Sequence, residues 1–241
     1  FRYDRGSEND PRLEIAADYW EYLDSEVASG EEYAARMYSL AANGGPRVGS
    51  NTTNISVSAL SENLPEALEL TEKHLSTLVP DDAVLSELKA DILRARADSK
   101  KNQRACSSAI QRYLTYGPEY VRKANLGGKQ LQALTPEEVL SSLKDLLGCS
   151  HTVLYYGPAS IEEVKTMLEN HRTEGLKPLE KTHAVKRLTP STQVFVAHYD
   201  SRQFNYVQYS DRGEKLDLGE DALIELFNEY YGGGMNAIVF Q

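Results

Sequence analysis

The sequence predicts an α+β fold in which an antiparallel sheet is flanked by helices. Three observations predict it. Strand-like and helix-like segments come in groups instead of strict β-α alternation. Helix starts are marked by repeated capping boxes, and a segment near residue 55 alternates apolar with small polar residues.

Each element follows in order. Asp10-Pro11 reads as an N-cap with proline at the first helical position, opening a helix with Leu13, Ala16, Trp20, Leu23 and Val27 on one stripe. Ser29-Gly30-Glu31-Glu32 is a capping box, whose serine hydroxyl and glutamate satisfy free amide N–H groups. Its helix continues from Tyr33 to Ala42, and Asn43-Gly44-Gly45-Pro46 ends it. From Arg47 to Leu60, Ile55, Val57 and Ala59 alternate with Asn54, Ser56 and Ser58, as in a half-buried strand or hairpin. Leu64 to about Leu114 reads as long helical stretches, interrupted at Val79-Pro80-Asp81-Asp82. Thr135-Pro136-Glu137-Glu138 boxes a helix to Leu147, and His151 to Tyr156 reads as a short strand ended by Gly157-Pro158. Ser160-Ile161-Glu162-Glu163 boxes a helix to about His171.

Between Arg172 and Pro190 no periodicity is sustained, and Gly175, Pro178, Pro190 and several lysines mark a linker. The expected organisation is one α+β domain over 1–174, a linker over 175–190, and the start of a second α+β domain over 191–241. That second region shows strand-like runs at Gln193 to His198 and Phe204 to Tyr209, then a helix from about Glu220 to Tyr231. Gly232-Gly233-Gly234 and the apolar run Met235 to Gln241 follow. Phe1 stands where a methionine would, and the final run stops without a cap, so the sequence is expected to be a piece of a longer chain.

Composition bounds the function. Across 241 residues, 41% apolar and 26% charged side chains fit a globular chain with a core, and no apolar run approaches the roughly 18 residues needed to span a bilayer. A net charge of −10 repels phosphate backbones and argues against sequence-independent nucleic-acid binding. Two cysteines, Cys106 and Cys149, permit at most one disulfide.

Few segments carry chemistry. Gly232-Gly233-Gly234 follows a helix instead of a strand and lacks a following lysine, so it reads as a close-packed or flexible junction and not a phosphate cradle. His198-x-Asp200 and Cys149-x-His151 each lack a second ligand pair at metal spacing. Lys100-Lys101-Asn102-Gln103-Arg104 reads as a solvated helix face. The informative segment is the first helix. At about 100° per residue, Asp18, Glu21 and Tyr22 share a polar face opposite the apolar stripe. Asp18-Tyr19-Trp20-Glu21-Tyr22 has the spacing of H-x-x-E-H, the inverted zinc motif, with neither histidine present. An aspartate and a tyrosine do not replace two imidazoles in a stable zinc site.

Four segments carry a family resemblance. They are the helix from Ala16 to Leu23; the strand from Asn54 to Leu60 with Ser61-Glu62-Asn63-Leu64 after it; Tyr155-Tyr156-Gly157-Pro158; and Tyr230 to Gln241, a glycine turn, a methionine and an apolar run ending in Phe-Gln. Over nearly all its length the chain resembles the pitrilysin/insulinase family of zinc metallopeptidases, which includes the mitochondrial processing peptidases. The resemblance implies homologous α+β domains, two in each half, closing around a chamber for unfolded peptides. It places this chain in the second, non-catalytic half of a long member. Asp18 and Tyr22 would sit where the histidines are, and Glu21 would have no catalytic role. The distal metal glutamate would fall near Ser99, and Gly232, Gly233 and Gly234 would precede the substrate-clamp helix. Zinc would belong to the other half of the parent, and neither a catalytic nor a metal residue is expected in this chain. The implied partners are the N-terminal catalytic half of the same chain or a catalytic subunit, together with peptide substrates. The alternative is a structural or peptide-binding subunit with no proteolytic activity. The bacterial periplasm or cell envelope is the expected location.

Overall fold

Residues 43–46, expected to end a helix, open a strand instead. The computed structural model describes residues 1–169, 171, 174–180, 184–187, 191, 194–195, 217, 219–233 and 235–240. In it, β2 (Asn43–Val48) pairs antiparallel with β3 (Thr53–Ser58), and β3 with β1 (Arg2–Tyr3), giving the order β1-β3-β2. A Cβ on Gly44 would stand 2.1 Å from the Ser56 carbonyl oxygen, and one on Gly45 would stand 2.1 Å from the Trp20 ring. Gly45 also holds φ +142°. These glycines serve close approach inside a strand and not chain reversal. Pro46 is tolerated because β2 lies at the edge.

The helices are α1 (Arg12–Tyr19), α2 (Gly30–Ser39), α3 (Leu64–Ser76), α4 (Asp82–Ser99), α5 (Gln103–Tyr116), α6 (Pro118–Ala124), α7 (Gly128–Ala133), α8 (Pro136–Leu147), α9 (Ile161–Met167) and α10 (Asp221–Tyr231). The capping boxes at Ser29, Thr135 and Ser160 are present, with the serine or threonine oxygen and the glutamate bonding reciprocally. The N-cap of α1 is Pro11 and not Asp10, with no side-chain cap bond, because the helix starts one residue later than expected. The Asp10 Oδ1 still accepts from the Arg12 N–H at 3.1 Å.

Several expectations fail for local reasons. The first helix does not run to Val27. It tightens into a 3-10 turn at Trp20–Tyr22, and Leu23 is extended. The Ser25 hydroxyl then takes both the N–H and the carbonyl of Ala28, a side-chain turn that competes with helix. The basic run at 100–104 is not one helix face. It straddles a break where Asn102 caps α5 through the Ala105 N–H. His151 to Tyr156 is not a strand: Thr152 makes an isolated bridge to Arg2, with N···O distances of 2.8 and 2.9 Å. The chain then leaves, because the Tyr155 hydroxyl folds back to accept the Ala159 N–H around Gly157. The third boxed helix ends at Met167, short of His171.

The described residues belong to two compact units, Phe1–Lys186 with Phe195–Val207, and Arg187–Val194 with Gln208–Gln241. In the first, α1 packs on α8 and on β2, and α3 on β3. Leu13, Ala16 and Tyr19 of α1 are buried with Val139, Leu140, Leu143 and Leu146 of α8, Ala67 and Leu75 of α3, and Ile55 of β3. Burying each large side chain contributes roughly 1.5–3 kcal/mol. Within 175–190, Lys177 pairs in parallel with Cys149, and Leu179 packs on this core. In the second unit α10 covers the expected residues, and a 3-10 turn at Ile238–Phe240 follows. The strand-like runs at 193–198 and 204–209, apart from Val194 and Phe195, lie outside the described residues, as do His198, Asp200 and Gly234. Among the described residues no helix is long and apolar enough to cross a membrane, and both cysteines are free thiols.

Candidate functional site

The candidate site is the polar side of α1, and three anchors on the buried side fix it. The Tyr19 hydroxyl donates to the Asp81 carbonyl at 2.6 Å and accepts the Asp81 N–H at 2.7 Å, tying α1 to the cap of α4. Trp20 lies against Gly45 of β2. Its buried Nε1 has no hydrogen-bond partner among the described residues. Asp10 receives Arg12 through two side-chain bonds of 2.9 and 2.7 Å, with Arg5 nearby at 3.8 Å. Burial pushes the Asp10 carboxyl up, but the Arg12 hydrogen bonds and the Arg12 and Arg5 charges outweigh it, holding the carboxyl below its usual range.

On the exposed side, Asp18 faces a cavity of 230 Å³ bordered by Glu14 of α1, Ile92 and Arg96 of α4, and Leu126. Burial, then the Glu21 and Glu14 charges, raise the Asp18 carboxyl. Asp18 and Glu21 are therefore close enough to feel each other. Tyr22 is 65% exposed and sits in the 3-10 turn, where each residue advances about 120° instead of about 100°. The winding between Asp18 and Tyr22 is thus not the full α-helical turn that an H-x-x-E-H zinc pair uses. Ser99, at the end of α4, donates to its own helix at the Arg96 carbonyl, and Ile92 and Arg96 are the α4 residues that line the cavity with Asp18. The Arg96 guanidinium donates to the Leu126 carbonyl at 2.7 Å. Carboxylates that raise one another, with no imidazole among them, do not fit catalytic zinc. Among the described residues no group of three His, Cys, Asp or Glu side chains is placed to hold a metal.

At the glycine turn, Gly232 caps α10, its N–H bonding the Asn228 carbonyl at 2.9 Å. A Cβ on Gly233 would stand 2.9 Å from the Glu229 Cα, so close packing requires this glycine.

Sequence reasoning missed two histidine clusters. His74 is buried, stacked on Tyr33 with centroids 4.1 Å apart, and 3.0 Å from the Ser25 hydroxyl. His151 lies 2.7 Å from His171, which is bonded to Glu72. Cys149-x-His151 drew attention as a metal pair. In the structure the Cys149 thiol donates to the Asp145 carbonyl, and His151 bonds the Cys149 backbone. Glu72 is 99 positions from His171, and no local pattern reveals that pairing.

Neither a family model nor a curated protein matches the sequence. Solved structures do match the fold. A peptidase M16 inactive domain from Pseudomonas fluorescens aligns with 60% of this chain and 36% of its own, at TM-score 0.50 and 16% identity. The fold is that of an M16 peptidase domain. The ferredoxin protease FusC E83A mutant, solved in complex with Arabidopsis ferredoxin, matches at TM-score 0.62 and 13% identity over 77% of this chain and 21% of its own. The periplasmic protease PqqL from Escherichia coli matches at TM-score 0.57 and 14% identity over 79% of this chain and 22% of its own. The chain thus spans about a fifth of the length of FusC and PqqL and about a third of the M16 inactive domain.

Proposed function

We propose that this chain is part of the non-catalytic half of a zinc-dependent metalloendopeptidase, where it walls the chamber that encloses peptide substrates. The observation that carries the reading is the state of α1 on an M16-type fold. Its buried face is intact, while its polar face offers Asp18, Glu21 and Tyr22 with a change of winding between them. Zinc and the catalytic residues then belong to a partner half of the same chain or to a catalytic subunit. Glu21 activates no water here, because no imidazole beside it holds a metal. The domain limits proposed are 1–174, 175–190 and 191–241, and Gly232-Gly233-Gly234 leads toward the substrate-clamp helix. A periplasmic setting belongs to the same proposal, since PqqL is a periplasmic protease.

The test is a zinc and activity measurement on the purified chain. The expected result is far less than one zinc per chain and no chelator-sensitive cleavage of a quenched-fluorescence peptide. One bound zinc with such cleavage would overturn the reading. A purely peptide-binding or structural subunit is the second reading. It is favoured by an apolar cavity of 360 Å³ lined by Phe1, Ile55, Val57, Leu154 and Met167. An intact H-x-x-E-H in the upstream sequence, or in a co-purifying subunit, separates the two.

A further inference from the structure

The His151–His171 contact has more acceptors than neutral rings can satisfy. His151 Nδ1 lies 3.0 Å from the Cys149 carbonyl oxygen, which only accepts, so that nitrogen carries a proton. His171 Nδ1 lies 2.5 Å from Glu72 Oε1, and a carboxylate likewise accepts. Both Nδ1 positions are then N–H, and neutral rings would aim two Nε2 lone pairs at each other across 2.7 Å. The contact holds only with one more proton on the line from His151 to Glu72. Shifting that proton onto the carboxylate changes its place and not the count.

A metal does not substitute for it in this geometry. Two imidazole nitrogens on a tetrahedral zinc, with bonds of about 2.0–2.1 Å, stand about 3.4 Å apart. The measured separation is that of a hydrogen bond.

The surroundings favour holding the proton. The His171 side chain is 11% exposed, Phe1 stacks on its ring at 4.4 Å, and the Tyr3 ring lies 4.9 Å from His151. The titratable neighbours are the Tyr3 phenol, the Cys149 thiol and Glu72. Burial, then the charges of Glu72 and Cys149, push the Tyr3 phenol up to about 12. Glu72 balances the extra positive charge, so the closed cluster is neutral and suits a partly desolvated site.

We propose that His151, His171 and Glu72 form a clasp that shares one proton more than two neutral rings and a carboxylate carry, and that this clasp ties His171 to α3 and to the segment after α8. It rests on this geometry and not on the proposed function, so either can fail alone.

Imidazole nitrogen and proton resonances of the intact chain at one fixed pH test it. The expected result is a nitrogen–nitrogen coupling across one N–H···N bond between the two Nε2 atoms, with three exchangeable protons on the line from His151 to Glu72. Glu72→Gln, which keeps the side-chain volume, is expected to lose that coupling, as is His171→Gln. No coupling between the rings overturns the clasp, as does a coupling unchanged in Glu72→Gln. One zinc per chain bound at the pair in place of the proton also overturns it.

Discussion

Two histidine clusters lie on different sides of α3 and respond to protons in opposite ways. His74 is fully covered, stacked on Tyr33 and edge-on to Trp20, and burial lowers its affinity for a proton against the weaker pull of Asp24. Two residues away, Glu72 points to the His151–His171 pair, whose contact requires an added proton. The difference is whether a carboxylate bonds the ring. Where the nearby carboxylate, Asp24, pulls more weakly than burial pushes, the neutral ring is selected. Where burial also meets a negative charge, the protonated ring fits.

The strongest way to break the comparison is to destroy one cluster without touching the other. Gly45→Ala drives a methyl group into the Trp20 ring and forces alanine to φ +142°. It should cost about 2–5 kcal/mol in chemical denaturation, while the His151–His171 hydrogen bond persists in the folded fraction. A loss below 0.5 kcal/mol, on the order of an ordinary surface change, would show that Trp20 does not seat the His74 stack.

His74→Phe sharpens the contrast. It keeps an aromatic ring on Tyr33 and loses the Ser25 bond, costing about 1 kcal/mol near neutrality. The folded His74 prefers to be neutral, so its contribution is full above the unfolded imidazole value of about 6.5 and is lost as the pH falls below it. Stability curves of the parent and His74→Phe should therefore converge, or cross, between about pH 7 and about pH 5. Parallel curves would contradict a neutral His74.

Asp18→Asn gives the smallest effect and shows what burial adds. Asp18 is raised by burial, Glu21 and Glu14, so the folded state prefers it protonated, and its ionised form opposes folding at neutral pH. The substitution should stabilise by a few tenths of a kcal/mol after solvent screening, on the order of a surface pair, with the gain vanishing below about pH 4. Destabilisation at neutral pH would mean that a cation holds Asp18.

The sequence made the capped helices legible because each capping signal acts within four residues. The boxes at Ser29, Thr135 and Ser160, and the alternation around Ile55, appear as read. The strand at Asn43-Gly44-Gly45-Pro46 was not legible, because those glycines answer to Trp20 and Ser56 across space. His151 to Tyr156 reads as a short strand, yet its pairing stops at one bridge. At the candidate site the missing imidazoles were plain in the letters. The 3-10 winding under Tyr22 and the cavity that Asp18 shares with α4 were not.

By itself the sequence determined the boxed helix starts at Ser29, Thr135 and Ser160, the apolar stripe of α1, and a polar face at Asp18, Glu21 and Tyr22 without zinc-binding side chains. These depend on neighbours a turn or less away. Only the tertiary structure decided which histidine is kept neutral and which pair holds a proton. Burial and opposing charge come from residues as far apart as Glu72 and His171, and their energies depend on distances that no local pattern encodes.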